Sequence, residues 1–70
     1  MNERKKLALK MDKRIGMRAV NSENMRAGTI TGYNIEEGNR VHYLICYDGQ
    51  ERILHRVAED KVVLMKAANV

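Results

Sequence analysis

Residues 41–49, Val-His-Tyr-Leu-Ile-Cys-Tyr-Asp-Gly, decide the fold class. Their β-branched and aromatic side chains alternate with a period of two, which is typical of a β-strand. The strand is expected to end in a two-residue hairpin turn at Asp48-Gly49, because both positions of such a turn need positive φ. The return strand is then predicted over about 51–57.

Other segments with the same period surround this hairpin. Two strands are predicted before it, at 15–20 and 28–35, and one after it, at 62–65, following a single helical turn at 58–61. Gly32 interrupts the second strand and predicts a bulge or a sharp bend. Five short strands arranged in this way predict a mainly β fold, a small closed or half-closed barrel. The predicted core consists of Ile30, Tyr43, Ile45, Tyr47 and Val62, with Met17 beside them.

The order of these features resembles that of the SH3-like small barrels, a group that includes Tudor and KOW modules. The resemblance runs from residue 15 to about 65 and rests on four segments, namely 16–18, 28–33, 43–49 and 57–63. It implies a five-stranded SH3-like barrel. Because that fold is found in binders of nucleic acid, peptides and methylated side chains, it implies no single ligand.

The segment 28–33, Gly-Thr-Ile-Thr-Gly-Tyr, is also similar to a Gly-x-Ile-x-Gly-aromatic stretch of the plasmid-borne type II dihydrofolate reductases. In that family a Val-Gln-Ile-Tyr run lines the active pore. Residues 52–55, Arg-Ile-Leu-His, stand at about that place and lack the glutamine and the tyrosine. The similarity therefore implies the architecture and a tendency to oligomerise, but not the activity.

Length and composition indicate one small soluble domain. The chain has 70 residues, is 44% apolar and 31% charged, and contains a single cysteine. One cysteine excludes an internal disulfide and a four-cysteine zinc site. No apolar run approaches the roughly 20 residues of a membrane span, and the N-terminus lacks the pattern of a secretory signal. We therefore expect a cytoplasmic protein without a membrane partner, of a kind that fits a bacterial or phage source.

The positive charge is concentrated in the first fourteen residues. Six basic and two acidic residues there give +4, the net charge of the whole chain, so that residues 15–70 are neutral. Leu7, Met11 and Ile15 recur at helical spacing, and Asn2 and Gly16 suit the two ends of a helix. The expected organisation is a basic helix or arm at 1–14, a barrel at 15–66 and a tail at 67–70.

No residue has the surroundings of a catalytic group. Ser22 lies in a polar loop, and Cys46 lies in an apolar strand, which disfavours its thiolate. In a two-residue hairpin His42 would face His55, but no third zinc ligand is near in sequence. The sequence thus predicts neither catalysis nor a metal, and it predicts no cofactor.

The strand at 41–47 is apolar on both faces, because Leu44 and Cys46 lie opposite the predicted core face. Such a strand is normally covered on both sides. The N-terminal helix is the preferred cover, acting through Leu7 and Met11, and a second subunit is the alternative. In the second case Leu44 and Cys46 would form the interface.

The leading functional prediction is a small non-enzymatic module that binds nucleic acid through its basic arm, since lysine and arginine displace counterions from phosphates. The alternative is a self-associating barrel that binds a protein or a small ligand at a subunit interface. Tyr33, beside a glycine, is the candidate for stacking on a base. The predicted nucleic-acid-binding residues are Arg4, Lys5, Lys6, Lys10, Lys13, Arg14, Arg18 and Tyr33.

Overall fold

The computed structural model describes residues 2–65, which form one helix followed by five strands. Helix α1 spans Glu3–Asp12, and single 3-10 turns lie at Glu37–Asn39 and Glu59–Lys61. The predicted mainly β class with a short N-terminal helix is confirmed. The tail expected at 67–70 lies outside the described residues. The strands are β1 (Arg18–Asn21), β2 (Arg26–Glu36), β3 (Arg40–Tyr47), β4 (His55–Ala58) and β5 (Val62–Leu64).

The strands form a single antiparallel sheet in the order β4-β3-β2-β1-β5. Its two edge strands, β4 and β5, are joined only by the turn at Glu59–Lys61. The four Cα steps from Ala58 to Val62 span at most about 14 Å. The edges of a flat five-stranded sheet would lie about 19 Å apart. The sheet therefore bends back on itself, and the two edges approach each other.

A bulge in β2 contributes to this bend. The pairing of β2 with β3 shifts by one residue between Ile30 and Gly32, so Thr31 is an extra residue on the β2 side. The shift also changes which positions face inward. Ile30 is buried before the bulge, and Tyr33 and Ile35 pack against the same core after it. The irregularity that Gly32 predicts is thus confirmed.

The core lies between the inner face of the bent sheet and α1. Its four largest fully buried side chains include Met11 from the helix, with Ile30, Tyr43 and Ile45 from the sheet. Tyr47 is also buried, so four predicted core residues are confirmed. Val62 and Met17 are half-buried and pack against this core. The whole cluster consists of Met11, Ala19, Ile30, Val41, Tyr43, Ile45, Tyr47 and Val57.

The predicted two-residue hairpin is wrong. The connection between β3 and β4 spans the seven residues 48–54, and β4 begins at His55. The Gln50 backbone N–H donates to the Tyr47 carbonyl at 2.9 Å, so a tight turn forms at Asp48-Gly49, but of these two residues only Gly49 has a positive φ. The Asp48 backbone N–H donates to Ala27 of β2, and the chain pairs with β3 again only from His55. Apolar Ile53 and Leu54, which resemble strand residues in sequence, are 49% and 59% exposed.

The register of this hairpin also removes the expected histidine pair. His55 lies opposite Ile45, and His42 lies opposite Ala58, three residues away from the expected partner. The seven-residue loop is the reason, because it moves the point at which the return strand begins to pair. The two imidazoles therefore do not face each other, and the zinc pair considered from the sequence is not formed.

Candidate nucleic-acid interface

Helix α1 is capped at its N-terminus by Asn2 and is anchored on the core side of the sheet through Tyr33 and Met11. The Asn2 side chain caps its first turn by accepting from the Lys5 backbone N–H at 2.8 Å. Tyr33 Oη of β2 donates to the Asp12 carboxylate at 2.5 Å and lies 3.2 Å from the Ala8 carbonyl oxygen. Met11 is fully buried beneath the helix. These contacts hold a helix that, at ten residues, would be marginal in water by itself.

The helix does not cover Leu44 and Cys46, contrary to the preferred expectation. Met11 and Leu7 of the helix pack in the core, on the inner side of β3. Leu44 and Cys46 are half-buried and lie outside the core cluster. The reason is the alternation of side chains along β3. Tyr43 lies on the core side, and its hydroxyl accepts a hydrogen bond from Arg14, which follows the helix in sequence. The face that carries Leu44 and Cys46 has no cover from α1.

Three lysines form a stripe along the solvent side of the helix. Lys6, Lys10 and Lys13 are all exposed and are spaced at i, i+4 and i+7. At 3.6 residues per turn, they project within about 60° of one another. None of them takes part in the ion pairs formed among residues 2–65. We refer to these three residues as the lysine stripe.

Two predicted site residues, Arg14 and Arg18, have partners within the chain. Arg14 Nη1 donates to Tyr43 Oη at 2.6 Å and lies 3.6 Å from the Glu59 carboxylate. Arg18 forms a bidentate pair with Asp48, with N···O distances of 2.7 and 2.5 Å. The hydrogen bonds from Arg18 hold the pKa of Asp48 below its usual range. Both guanidinium groups therefore join parts of the fold.

A cleft of about 430 Å³ lies between the first turns of α1 and β2. It brings together three predicted site residues, Arg4, Lys5 and Tyr33. Two other cavities, of about 250 and 420 Å³, each include a carboxylate in their lining, whereas this cleft has two cations and no carboxylate. We call it the helix cleft. It is lined by Asn2, Arg4, Lys5, Ala8, Tyr33, Asn34 and Ile35.

The charge of the helix cleft is not cancelled by the acid that follows it on β2. Glu36 accepts a hydrogen bond from Arg56, which lowers the pKa of the Glu36 carboxyl, and it also lies 3.4 Å from His42 Nδ1. Arg4 Nη2 donates to the Ile35 carbonyl at 2.6 Å, and this contact fixes the guanidinium in the cleft wall. The cleft is therefore suited to an anionic group.

Tyr33 belongs to the wall of the helix cleft and is not a freely exposed stacking platform. Its ring is half-buried against the core, and its hydroxyl is used by Asp12 and Ala8. The hydrogen bond to the Asp12 carboxylate raises the pKa of Tyr33. The residue thus fixes the helix and presents only part of its ring to the cleft.

Two residues of the cleft have no predicted binding role from the sequence. Asn2 is predicted only as a helix cap, and Asn34 is an ordinary strand position. Nothing in their local sequence marks them, because they come to line one cavity only when α1 docks on β2. In residues 2–65, no three His, Cys, Asp or Glu side chains are grouped to hold a metal ion. Within the same range, no helix is long and apolar enough to span a membrane.

Comparison with protein-family models, with curated proteins and with solved structures finds no match to this chain. The function is therefore inferred from the geometry and charge of the described residues.

Proposed function

We propose that this protein is a small, non-enzymatic cytoplasmic module that binds nucleic acid through the phosphates, using the exposed side of α1. The observation that carries the proposal is the lysine stripe. Its three ammonium groups face solvent without an ion-pair partner among residues 2–65, whereas Arg14 and Arg18 have intrachain partners. Lysine contacts phosphate as a point charge, without reading bases, so we expect weak sequence selectivity.

The proposal includes an SH3-like barrel as the platform for the helix. The strand order β4-β3-β2-β1-β5, the bulge at Thr31 and the single turn at Glu59–Lys61 support it. The platform has a direct role, because the docked face of α1 determines which side of the helix remains exposed. With Met11 buried, the lysine stripe is directed away from the sheet.

The test is the salt dependence of binding to a labelled DNA duplex, measured by fluorescence anisotropy. Each phosphate contact contributes a slope of roughly −0.9 in log affinity against log salt. We expect the parent to show a slope of about −3 to −4. The triple variant Lys6→Gln, Lys10→Gln, Lys13→Gln should flatten it by about 3, since it removes three contacts.

A control with the same change in charge uses exposed basic residues of the sheet and its loops. The variant Arg40→Gln, Arg52→Gln, Lys61→Gln removes three positive charges outside the helix. It should weaken binding far less and leave the slope near that of the parent. Equal losses of affinity in the two triple variants would overturn the proposal. It would also be overturned if the parent did not bind at 20 mM salt with protein on the order of micromolar concentration.

A second candidate function, self-association, is favoured by the uncovered outer face. Leu44 and Cys46 are half-buried there, and Val63 of β5 is 57% exposed. The Arg18–Asp48 pair on the same face can form reciprocal pairs with a second copy, because an isologous contact brings each charge near its opposite. In light scattering, a dimer that Leu44→Asp converts to a monomer would support this function. A parent that stays monomeric up to millimolar concentration would exclude it.

A further inference from the structure

Strand β2 is longer than the chain that pairs with it on one side. β1 pairs with residues 26–29 of β2, and Gly16 and Met17, which precede β1, form backbone hydrogen bonds with Ile30. Within residues 2–65, no strand lies on this side of β2 beyond Ile30, whereas β3 pairs with the other side to the end of β2. Residues 31–36 therefore form an open edge, of the kind that can pair with a further chain.

The backbone groups on this open edge belong to Tyr33 and Ile35. The Ile35 carbonyl points away from β3, since it accepts from Arg4 Nη2 at 2.6 Å. In an antiparallel pair, the N–H and C=O of one residue point to the same side, and residues two apart share that side. The Tyr33 N–H, the Tyr33 C=O and the Ile35 N–H therefore point to the edge. None of the three has a hydrogen-bond partner among residues 2–65.

The helix cleft runs along this edge. Tyr33 and Ile35 pack their side chains against the core, whereas Asn34, between them, has its side chain on the outer face. All three residues nevertheless line the cleft. A cavity that touches successive residues of a strand, whichever way their side chains point, follows the backbone edge and not one face. The free backbone groups therefore open into the space of about 430 Å³ between β2 and α1.

Helix α1 forms the opposite wall of the cleft and determines which side chains fit there. A strand added to the edge places its side chains on the same face as the β2 residues that they lie opposite. A residue opposite Ile35 would meet Arg4 and Lys5, and a residue opposite Tyr33 would meet Ala8. The described lining contains no carboxylate, so the first position suits an acidic side chain and the second a compact apolar one.

We propose that this edge accepts an extended acidic segment of a partner protein as a further strand, held between β2 and α1. Main-chain hydrogen bonds to the Tyr33 N–H and C=O and to the Ile35 N–H supply the affinity, and the pockets for alternate side chains supply the selectivity. The selected pattern is an acidic and an apolar residue two positions apart. The lysine stripe takes no part, so the inference goes beyond the proposed binding of nucleic acid and does not depend on it.

The first measurement is hydrogen exchange of the backbone amides, followed by NMR. The probe is the peptide Thr-Glu-Thr-Val-Thr-Glu-Thr with blocked ends, which has a glutamate two positions from the valine in both chain directions. We expect the amides of Tyr33 and Ile35 to exchange rapidly in the free protein and to slow by about tenfold or more when the peptide is bound. The Asn34 amide points to β3 and should exchange slowly in both states.

Two N-methylated forms of the probe separate strand pairing from the attraction of an anion. In the added strand, the valine and both glutamates turn their N–H groups to β2, and the threonines turn theirs away. Methylation of those three amide nitrogens should weaken binding by about tenfold or more, because it removes the donor and blocks the approach. Methylation of three threonine nitrogens leaves the charge and the number of methyl groups the same and should preserve most of the affinity.

The acidic position is tested with a neutral probe, in which glutamine replaces both glutamates. It should bind the parent protein more weakly than the acidic probe does. Arg4→Gln should reduce this difference, because it removes the cation nearest to Ile35. Arg40→Gln, the same substitution at an exposed site on β3, is the control and should retain the difference.

The contrary outcomes each overturn the inference. If the amides of Tyr33 and Ile35 exchange as slowly as that of Asn34 in the free protein, the edge is closed. Equal binding of the two methylated probes would mean that the cleft takes an anion only. Protection that rises with protein concentration alone would assign the edge to a second copy, and no protection at about 5 mM probe would exclude the peptide site. The salt dependence of nucleic-acid binding tests the proposed function separately from all of these.

Discussion

Asn21 Nδ2 donates a hydrogen bond to Tyr47 Oη at 2.8 Å, and both residues are buried. The amide oxygen of Asn21 accepts from the Glu23 backbone N–H at 2.9 Å, so the side chain is satisfied at both ends. Asn21 ends β1 and Tyr47 ends β3, two strands that are not neighbours in the sheet. The bond thus crosses the interior and holds the bent sheet together at one end.

Removal of the Tyr47 hydroxyl should destabilise the protein more than the loss of a surface hydrogen bond. Tyr47→Phe keeps the ring and leaves the Asn21 amide N–H groups without this partner, which costs about 1–3 kcal/mol in a buried site. The measurement is the free energy of unfolding in urea. Ser22→Ala, which removes an exposed hydroxyl bonded to the Lys61 carbonyl, is the control and should change stability by about 0.5 kcal/mol or less.

Truncation of Ile45 should unfold much of the population. Ile45 is fully buried and lies opposite Ile30 and His55 in the sheet. Ile45→Ala should lower the free energy of unfolding by about 2–5 kcal/mol, a large share of the stability of so small a domain. Ile53→Ala, at a 49% exposed loop position, should leave the melting temperature nearly unchanged. Similar melting temperatures for the two variants would contradict this assignment of the core.

The two glycines of β2 should respond very differently to alanine. A Cβ at Gly28 would lie 2.4 Å from the Cys46 carbonyl oxygen and 2.9 Å from Tyr47 Cα, both backbone atoms that cannot move aside. Gly28→Ala should therefore prevent folding, and its NMR spectrum should lack the dispersed amide signals of a folded protein. Gly32→Ala would place its Cβ 3.5 Å from Leu44 Cδ1, an ordinary contact, and should fold. A folded Gly28→Ala protein would mean that β2 and β3 are less closely packed there.

Docking of the helix should weaken at alkaline pH. The hydrogen bond to Asp12 raises the pKa of Tyr33 above 10.0, so the stabilising effect of this contact is fully present below pH 10. It is lost as the pH rises through the higher folded-state pKa, because the phenolate repels the carboxylate. The methyl NMR signal of the buried Met11 reports docking and should shift in that range.

Two variants check this assignment. Tyr33→Phe keeps the ring in the core but removes the ionising group, so its Met11 signal should lack the alkaline transition. Asp12→Asn keeps an acceptor without the charge and should move the transition toward the ordinary pKa of tyrosine. An alkaline transition that persists unchanged in Tyr33→Phe would assign it to another group.

The strand positions and the core were predictable because they depend on local alternation. Ile30, Tyr43 and Ile45 occupy a regular period of two, and Gly32 marks the one place where that period breaks. The loop at 48–54 was not predictable, because Ile53 and Leu54 carry a strand-like apolar pattern that tertiary contacts override. The contact between Asp48 and β2 is one of these, and no local pattern indicates it.

The candidate site was predictable only in part. A basic helix can be recognised from its spacing, but the sequence does not say which lysines remain exposed after docking. In the sequence, Arg14 and Arg18 are basic residues like Lys6, and nothing distinguishes them from it. Their partners, Tyr43 and Asp48, are 29 and 30 residues away along the chain. The presence of Asn2 and Asn34 in the lining of one cleft has the same cause. It depends on the register of β2 against α1, which is a long-range property.

The extra residue in β2 divides the strand into two parts that are each in register with β3. Ile30 faces inward before Thr31, and Tyr33 and Ile35 face inward after it. An in-frame deletion of the Thr31 codon would leave all of these pairs in place and keep Tyr33 on the side of α1, because regular alternation then runs from Ile30 to Ile35. The deletion would remove the local bend that the bulge provides. The length of β2 can therefore change by one residue at this position without exchanging the two faces of the strand, and the property at stake is the curvature of the sheet.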